Sequence, residues 1–196
     1  MIYDAADLER VFAEQLRAVA RSLSDLGAEY MLIGGLAVGI WSDPRATKDA
    51  DLSVRVLAAP DRVRDALAAA GLEVARGDLP RALKQGEAVR LRRTGHLDEP
   101  IVVDLLFAIT AFEIDALRRR RSVAVLGVEL PVATPEDLFV FKLIAGRPQD
   151  LADAAVLLDL HGKGFDIERV RRWCLEFGVE ERLSAFPLWR MGTSSA

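Results

Sequence analysis

Thr47-Lys48-Asp49-Ala50-Asp51-Leu52 follows closely on a glycine pair, Gly34-Gly35, and decides how the rest of the chain is read. In an extended strand, residues two apart share a face, so Asp49 and Asp51 point together while Ala50 and Leu52 point into a core. Another strand-like run, Ile101-Val102-Val103-Asp104-Leu105-Leu106, carries a third acid among apolar neighbours. Carboxylates in such surroundings are costly without a cationic partner. Two adjacent carboxylates also repel, and one would protonate in the absence of a cation. Mg²⁺ (or Mn²⁺) removes the conflict, since it takes oxygen ligands from one or two carboxylates together with phosphate oxygens. If the strand at 101–106 lies beside the strand at 48–55, Asp104 supplies the third ligand.

An Asp-x-Asp pair by itself is common in turns and on solvent faces, and that plainer reading stands beside the metal one. Placement favours the metal. Tyr30-Met31-Leu32-Ile33 reads as a short buried strand, Gly34-Gly35 as a tight turn, and Leu36 to Trp41 as a short helix. Glycine lets a phosphate approach the backbone, and a helix N-terminus offers unpaired N–H donors. The glycine spacing of a Walker loop or a dinucleotide fingerprint is missing.

Bulk composition narrows the classes. The 196 residues suit one well-packed domain with a small appendage; half are apolar and 29% are charged. A formal charge of −4 argues against a globally basic nucleic-acid binder. One cysteine, Cys174, and two histidines, His96 and His161, provide neither a disulfide framework nor a soft-metal site. No apolar run reaches membrane-spanning length, and the N-terminal residues lack signal-peptide character, so the expected location is the cytoplasm, with no membrane partner.

The chain alternates helix and strand as far as residue 133. An amphipathic helix is expected over 5–26, then the strand–turn–helix unit, the acidic strand, a helix at about 60–70 and a short strand at 72–74. Residues 76–86 read as a charged loop. A strand at 87–93 places Val89 and Leu91 on one face and Arg90 and Arg92 on the other. A helix over 110–120 and a hairpin-like run at 123–130 follow. Thr134-Pro135-Glu136-Asp137 has cap, N1 proline and N3 acid in place for a helix start. Helices are expected to about 145, over 149–160 and over 167–177. The expectation is an α+β fold: a small mixed β-sheet with flanking helices (a core at 1–133) and a helical C-terminal part at 134–191 packed on it.

These motifs resemble the nucleotidyltransferase superfamily, and more closely bacterial AbiEii-type toxin nucleotidyltransferases and their uncharacterised relatives. The resemblance rests on Leu32 to Val38, on Arg45 to Leu52, on Val103-Asp104-Leu105-Leu106, and on the helical segment from Val132 through Lys142 to Asp153. It covers about residues 28–160 and implies the nucleotidyltransferase fold. It makes Asp49, Asp51 and Asp104 the catalytic metal ligands and Gly34 and Gly35 the phosphate turn. It also places Thr47, Lys142 and Asp150 among the nucleotide-binding residues. Gly35 stands where many small nucleotidyltransferases carry serine, which removes one hydroxyl donor.

The implied reaction moves a nucleoside monophosphate from an NTP to an acceptor hydroxyl with release of pyrophosphate. The acceptor is left open among tRNA or other RNA, a protein side chain and a small molecule. The alternative is a non-catalytic nucleotide-binding protein, or an interaction protein of a toxin–antitoxin-like pair with an antitoxin-like partner.

Basic residues admit several readings. Residues 76–93 carry six basic against two acidic side chains, net +4, and Arg118 to Arg121 form a second cluster. Either could meet nucleic-acid phosphates, a triphosphate, a protein partner or solvent. Lys142 either snorkels from its apolar helix or reaches a γ-phosphate. Glu136 and Asp137 are expected to serve a helix start, His161 to sit at a helix end, and Cys174 to be a core thiol.

Overall fold

The computed structural model describes residues 5–43, 49–95 and 101–186. Element order is α1 (Ala5–Asp25), β1 (Glu29–Ile33), α2 (Gly34–Trp41), β2 (Asp49–Arg55), α3 (Pro60–Ala69), β3 (Leu72–Arg76), α4 (Leu79–Gln85), β4 (Ala88–Arg93), β5 (Val102–Phe107) and α5 (Ala111–Arg119). Then come β6 (Arg121–Val125), β7 (Val128–Val132), α6 (Pro135–Ala145), α7 (Pro148–His161) and α8 (Ile167–Glu176). The fold is α+β, and the chain divides into two compact units. One comprises Met1–Ala37 with Arg45–Ala133, and the other Val38–Pro44 with Thr134–Ala196.

The first unit holds a seven-stranded mixed sheet in the order β3-β4-β5-β2-β1-β7-β6. β2 pairs parallel with β5 and β1 parallel with β7; the other neighbours are antiparallel. Strand alternation determines the two faces. Ala50, Leu52, Val54, Val89, Leu91, Val103, Leu105 and Phe107 are all buried. Their neighbours Asp49, Asp51, Arg90, Arg92 and Asp104 lie on the opposite side and keep some exposure. Helix α1 contributes Leu16, Val19 and Leu23 to the core, and α3 contributes Val63 and Leu67. At about 25 cal/mol per Å² of apolar area, each such side chain is worth roughly 1.5–3 kcal/mol.

The sequence reading of residues 76–86 as a loop is corrected by α4. Asp78 caps this helix by accepting from the Arg81 backbone N–H at 3.0 Å, and Pro80 sits in its first turn. Gly86 ends it in the left-handed conformation, at φ 69°. With seven residues, α4 is too short to show the repeating apolar stripe that reveals a helix.

In the second unit, α6 begins where Thr134, Pro135 and Asp137 place it. The Thr134 hydroxyl accepts from the Asp137 backbone N–H at 3.2 Å. Its core gathers Leu138, Phe139, Leu143, Leu157, Val170 and Cys174. The Phe139 ring packs against Phe165 and Phe186, with centroids 5.5 and 5.3 Å away.

Candidate active site

The site on the sheet is set by register. Ile33, the last residue of β1, is paired with Asp51 of β2, so the chain turns into α2 directly beside the acidic strand. Asp51 is in turn the register partner of Asp104 on the parallel strand β5. Aligned residues on neighbouring strands share a face, and Asp49 shares it by alternation. The expected juxtaposition of the 48–55 and 101–106 strands is therefore present.

Gly34 makes the closest approach. Its φ is +69°, and a β-carbon built there would lie 2.0 Å from Oδ2 of Asp51. Glycine serves twice here: it adopts a left-handed turn without strain, and it leaves room for the carboxylate. Helix α2 spans Gly34–Trp41; Gly34, at φ +69°, is the left-handed residue through which the chain turns into it, and Gly35 lies in its first turn. The unpaired N–H groups of a helix start thus lie beside the acidic strand. Thr47 lies outside the described residues.

Asp104 has a partner that local reading of the sequence did not find. Arg90, its antiparallel register partner on β4, donates from Nε to Oδ1 at 2.9 Å and from Nη2 to Oδ2 at 2.8 Å. This two-pronged bond holds the guanidinium pKa above its ordinary value. Partial burial opposes the shift, and the charges of Asp104, Asp49 and Asp51 add to it. The next charge pair outward is Arg92 with Glu73 of β3, at 2.6 Å. The only signal in the sequence was the alternation that put Arg90 on the opposite face from Val89 and Leu91.

An all-oxygen donor set on one face, with Asp51 seated in the space Gly34 leaves, fits a hard divalent cation at Asp49 and Asp51. Asp104 is drawn into Arg90 instead. Among the described residues, no group of three His, Cys, Asp or Glu side chains is gathered closely enough to hold a metal ion.

Lys142 and Asp150 belong to the second unit and are bound to each other. The Lys142 Nζ lies 2.9 Å from Oδ1 of Asp150 and 2.9 Å from Oδ2 of Asp153. Arg147 adds a second cation, its Nε 2.5 Å from Oδ2 of Asp150. Lys142, Asp150 and Asp153 are all buried, so Lys142 does not snorkel. Burial alone would raise the Asp150 pKa, but hydrogen bonds from Arg147 and Lys142, with their charges, bring it from 3.8 to about 2.

Glu136 and Asp137 do more than start α6. Both hold the buried Arg169, whose Nη1 lies 2.8 Å from Glu136 Oε1 and 2.7 Å from Asp137 Oδ1. His161 ends α7 with its Nε2 2.6 Å from the Trp41 carbonyl oxygen. Cys174 is a core thiol whose pKa is pushed up to about 12, by burial first and by the Glu180 charge second.

A glycine turn pressed on an Asp-x-Asp strand, with a third aspartate in register on the parallel neighbour, defines a nucleotidyltransferase-class protein on a mixed sheet. Residues 17–192 match the family described as "Nucleotidyl transferase AbiEii toxin, Type IV TA system", and the chain belongs to that family.

Solved structures agree on the fold. The solution structure of the antibiotic-resistance factor ANT(2'')-Ia is 12% identical, with a TM-score of 0.54, over 90% of this chain and 95% of that one. The crystal structure of ANT(2'')-Ia with adenylyl-2''-tobramycin is 11% identical, with a TM-score of 0.52, over 85% and 97%. An antigenic nucleotidyltransferase-like protein from Paracoccidioides brasiliensis is 18% identical, with a TM-score of 0.50, over 80% and 77%. At such identities the likeness is one of fold alone. No curated protein matches the chain. Among the described residues, no helix is long and apolar enough to cross a membrane.

Proposed function

We infer that this protein transfers a nucleoside monophosphate from an NTP to an acceptor hydroxyl. The observation that carries the reading is the seating of Asp51 against Gly34, with Asp104 in register beside it. Asp49 and Asp51 would hold a divalent cation, Mg²⁺ or Mn²⁺. When bound, the cation neutralises triphosphate charge and eases departure of pyrophosphate.

The chain's own residues do the rest. Backbone N–H groups at Gly34 and Gly35 cradle phosphate oxygens at the start of α2. The sheet face holds the acceptor oxygen in line with the α-phosphorus, and that positioning supplies much of the rate. The acceptor oxygen forms a bond to the α-phosphorus as the bond to pyrophosphate breaks. The acceptor's proton passes to a carboxylate, assigned to Asp104. The nucleotide role that the resemblance gives Thr47, Lys142 and Asp150 is part of this proposal. A toxin's protein partner and an RNA acceptor are proposed on the family relationship alone.

A second reading has its own support. Arg90 engages both oxygens of Asp104, which suits a protein that keeps the fold as an interaction surface without transfer.

The experiment supplies each of the four NTPs, labelled at the α-phosphate, with Mg²⁺ or Mn²⁺, total RNA and cell extract. Native protein is compared with the D49A/D51A double variant. Label on RNA, protein or a small molecule with native protein only is the expected result and names the acceptor class. Label that persists in the double variant overturns the assignment of Asp49 and Asp51. No label in any fraction moves the balance to the interaction reading.

A further inference from the structure

A cavity of about 360 Å³ lies in the first unit, at the end of the β1–β2 pair where Glu29 is the register partner of Arg55. The glycine turn and Asp51 stand at the other end of the same two strands, where Ile33 pairs with Asp51. Four residues separate Asp51 from Arg55 along β2, a span of about 13 Å in an extended strand. Leu26, Leu57 and Ala58 give the cavity apolar walls, and Glu29, Arg55 and Arg62 give it charged ones. None of these six is a residue assigned to nucleotide transfer.

The charges on the walls do not cancel. Glu29 is already balanced: Arg55 Nη1 donates to its Oε2 at 2.9 Å, and Arg120 Nη1 lies 4.0 Å from its Oε1. A guanidinium carries five N–H donors in a fixed fork, so Arg55 keeps others for a further acceptor. Arg62 is exposed, and among the described residues it has no carboxylate partner. Asp61, its neighbour on α3, is taken by Arg64 at 2.6 Å.

Leu57 stands beside these cations at 89% exposure, the highest of the exposed large apolar side chains among the described residues. A leucine exposed singly on a surface needs no explanation. One that walls a cavity together with an unpaired guanidinium offers an apolar wall and a cationic head-group contact in the same space. An inorganic anion would leave the apolar walls wet, and a purely apolar guest would strip water from Arg62 without replacing it. The volume falls within the range of about 300–1,000 Å³ found for small-molecule sites, which also combine apolar walls with a few convergent polar groups.

We propose that this cavity binds a small amphipathic anion, a carboxylate or phosphate monoester carried on an apolar body. The head group meets Arg62 and the open N–H groups of Arg55, and the apolar body lies against Leu26, Leu57 and Ala58. The site stands independently of the NTP reading.

The test titrates octanoate, octyl phosphate, octanol and inorganic phosphate separately into the full chain by calorimetry, below micelle-forming concentrations. One of the two amphipathic anions should bind one-to-one, with octanol and inorganic phosphate each weaker by about tenfold or more. The tighter of the two anions identifies the head group. R62M should weaken that anion about tenfold, and L57S should weaken it several-fold. R64M removes a guanidinium of the same helix that serves Asp61 and should bind as the native protein does. Arg62 and Leu57 are both exposed, so their variants should fold, and thermal melts verify this. Binding should also persist in D49A/D51A, which separates the cavity from the acidic strand.

No saturable binding of either amphipathic anion would overturn the proposal. Octanol bound as tightly as the anions would reduce the site to an apolar patch and overturn it as well. Native-like affinity in R62M, or an equal loss in R64M, would remove Arg62 from the site with the same consequence. Binding abolished in D49A/D51A would place the anion at the acidic strand instead of the cavity.

Discussion

Gly34 and Asp51 approach so closely that a β-carbon on the first would lie 2.0 Å from a carboxylate oxygen of the second. The contact couples the turn into α2 to the acidic strand. The G34A variant should therefore suffer twice. A left-handed backbone costs a non-glycine residue about 1–2 kcal/mol, and the Asp51 carboxylate must move. The expected result is a modest fall in denaturant stability with a loss of NTP-dependent labelling far larger than that fall explains. Undiminished labelling in a folded G34A protein would remove the turn from the site.

The pairing of Lys142 with Asp150 and Asp153 predicts a different pattern. K142M leaves two buried carboxylates without their shared cation and should destabilise by about 3–5 kcal/mol. Calorimetric NTP binding on whatever remains folded then separates the two roles. Affinity retained in K142M makes the lysine a tie between α6 and α7 only; affinity lost beyond the unfolded fraction supports a phosphate contact.

Asp150 also predicts a pH dependence. Its pKa falls from 3.8 in an unfolded chain to about 2 in the folded one. Its stabilising contribution is then fully present above pH 3.8 and disappears as pH falls towards 2. A shift of that size corresponds to about 2 kcal/mol. Urea melts between pH 5 and pH 2 should show this loss in the native protein and a flatter profile in D150N (about these pH limits). Parallel profiles would show that Asp150 is not the group responsible.

Arg169 is buried between Glu136 and Asp137, and R169M should cost about 3–5 kcal/mol by leaving two acids uncompensated. The loss should fall on the helical unit, read as earlier hydrogen exchange in α6 and α8 than in the sheet. Equal acceleration in the β-strands would contradict that localisation.

Cys174, fully buried and with its thiol pKa raised to about 12, should resist thiol reagents in the native state. Labelling should follow the unfolding transition in denaturant, so rapid reaction in buffer would place Cys174 elsewhere.

Local pattern was enough for much of this molecule. Apolar alternation with acids at every second position determined that Asp49 and Asp51 share a face, because a strand's side chains alternate whatever surrounds it. Glycine after an apolar strand marked the turn at Gly34, and Thr134-Pro135 marked a helix start, since caps and fixed φ values act within a few residues. Helix α4 escaped because seven residues span about two turns and show no repeating stripe. The partners of the charges were decided only by tertiary structure. Arg90 meets Asp104 through strand register, Lys142 meets Asp150 and Asp153 across a helical hairpin, and Arg169 reaches Glu136 from another helix. Periodicity states which face a side chain occupies, but the neighbour opposite depends on which strands and helices pack together. That choice is made by burial of the whole core, and no single stretch of sequence contains it.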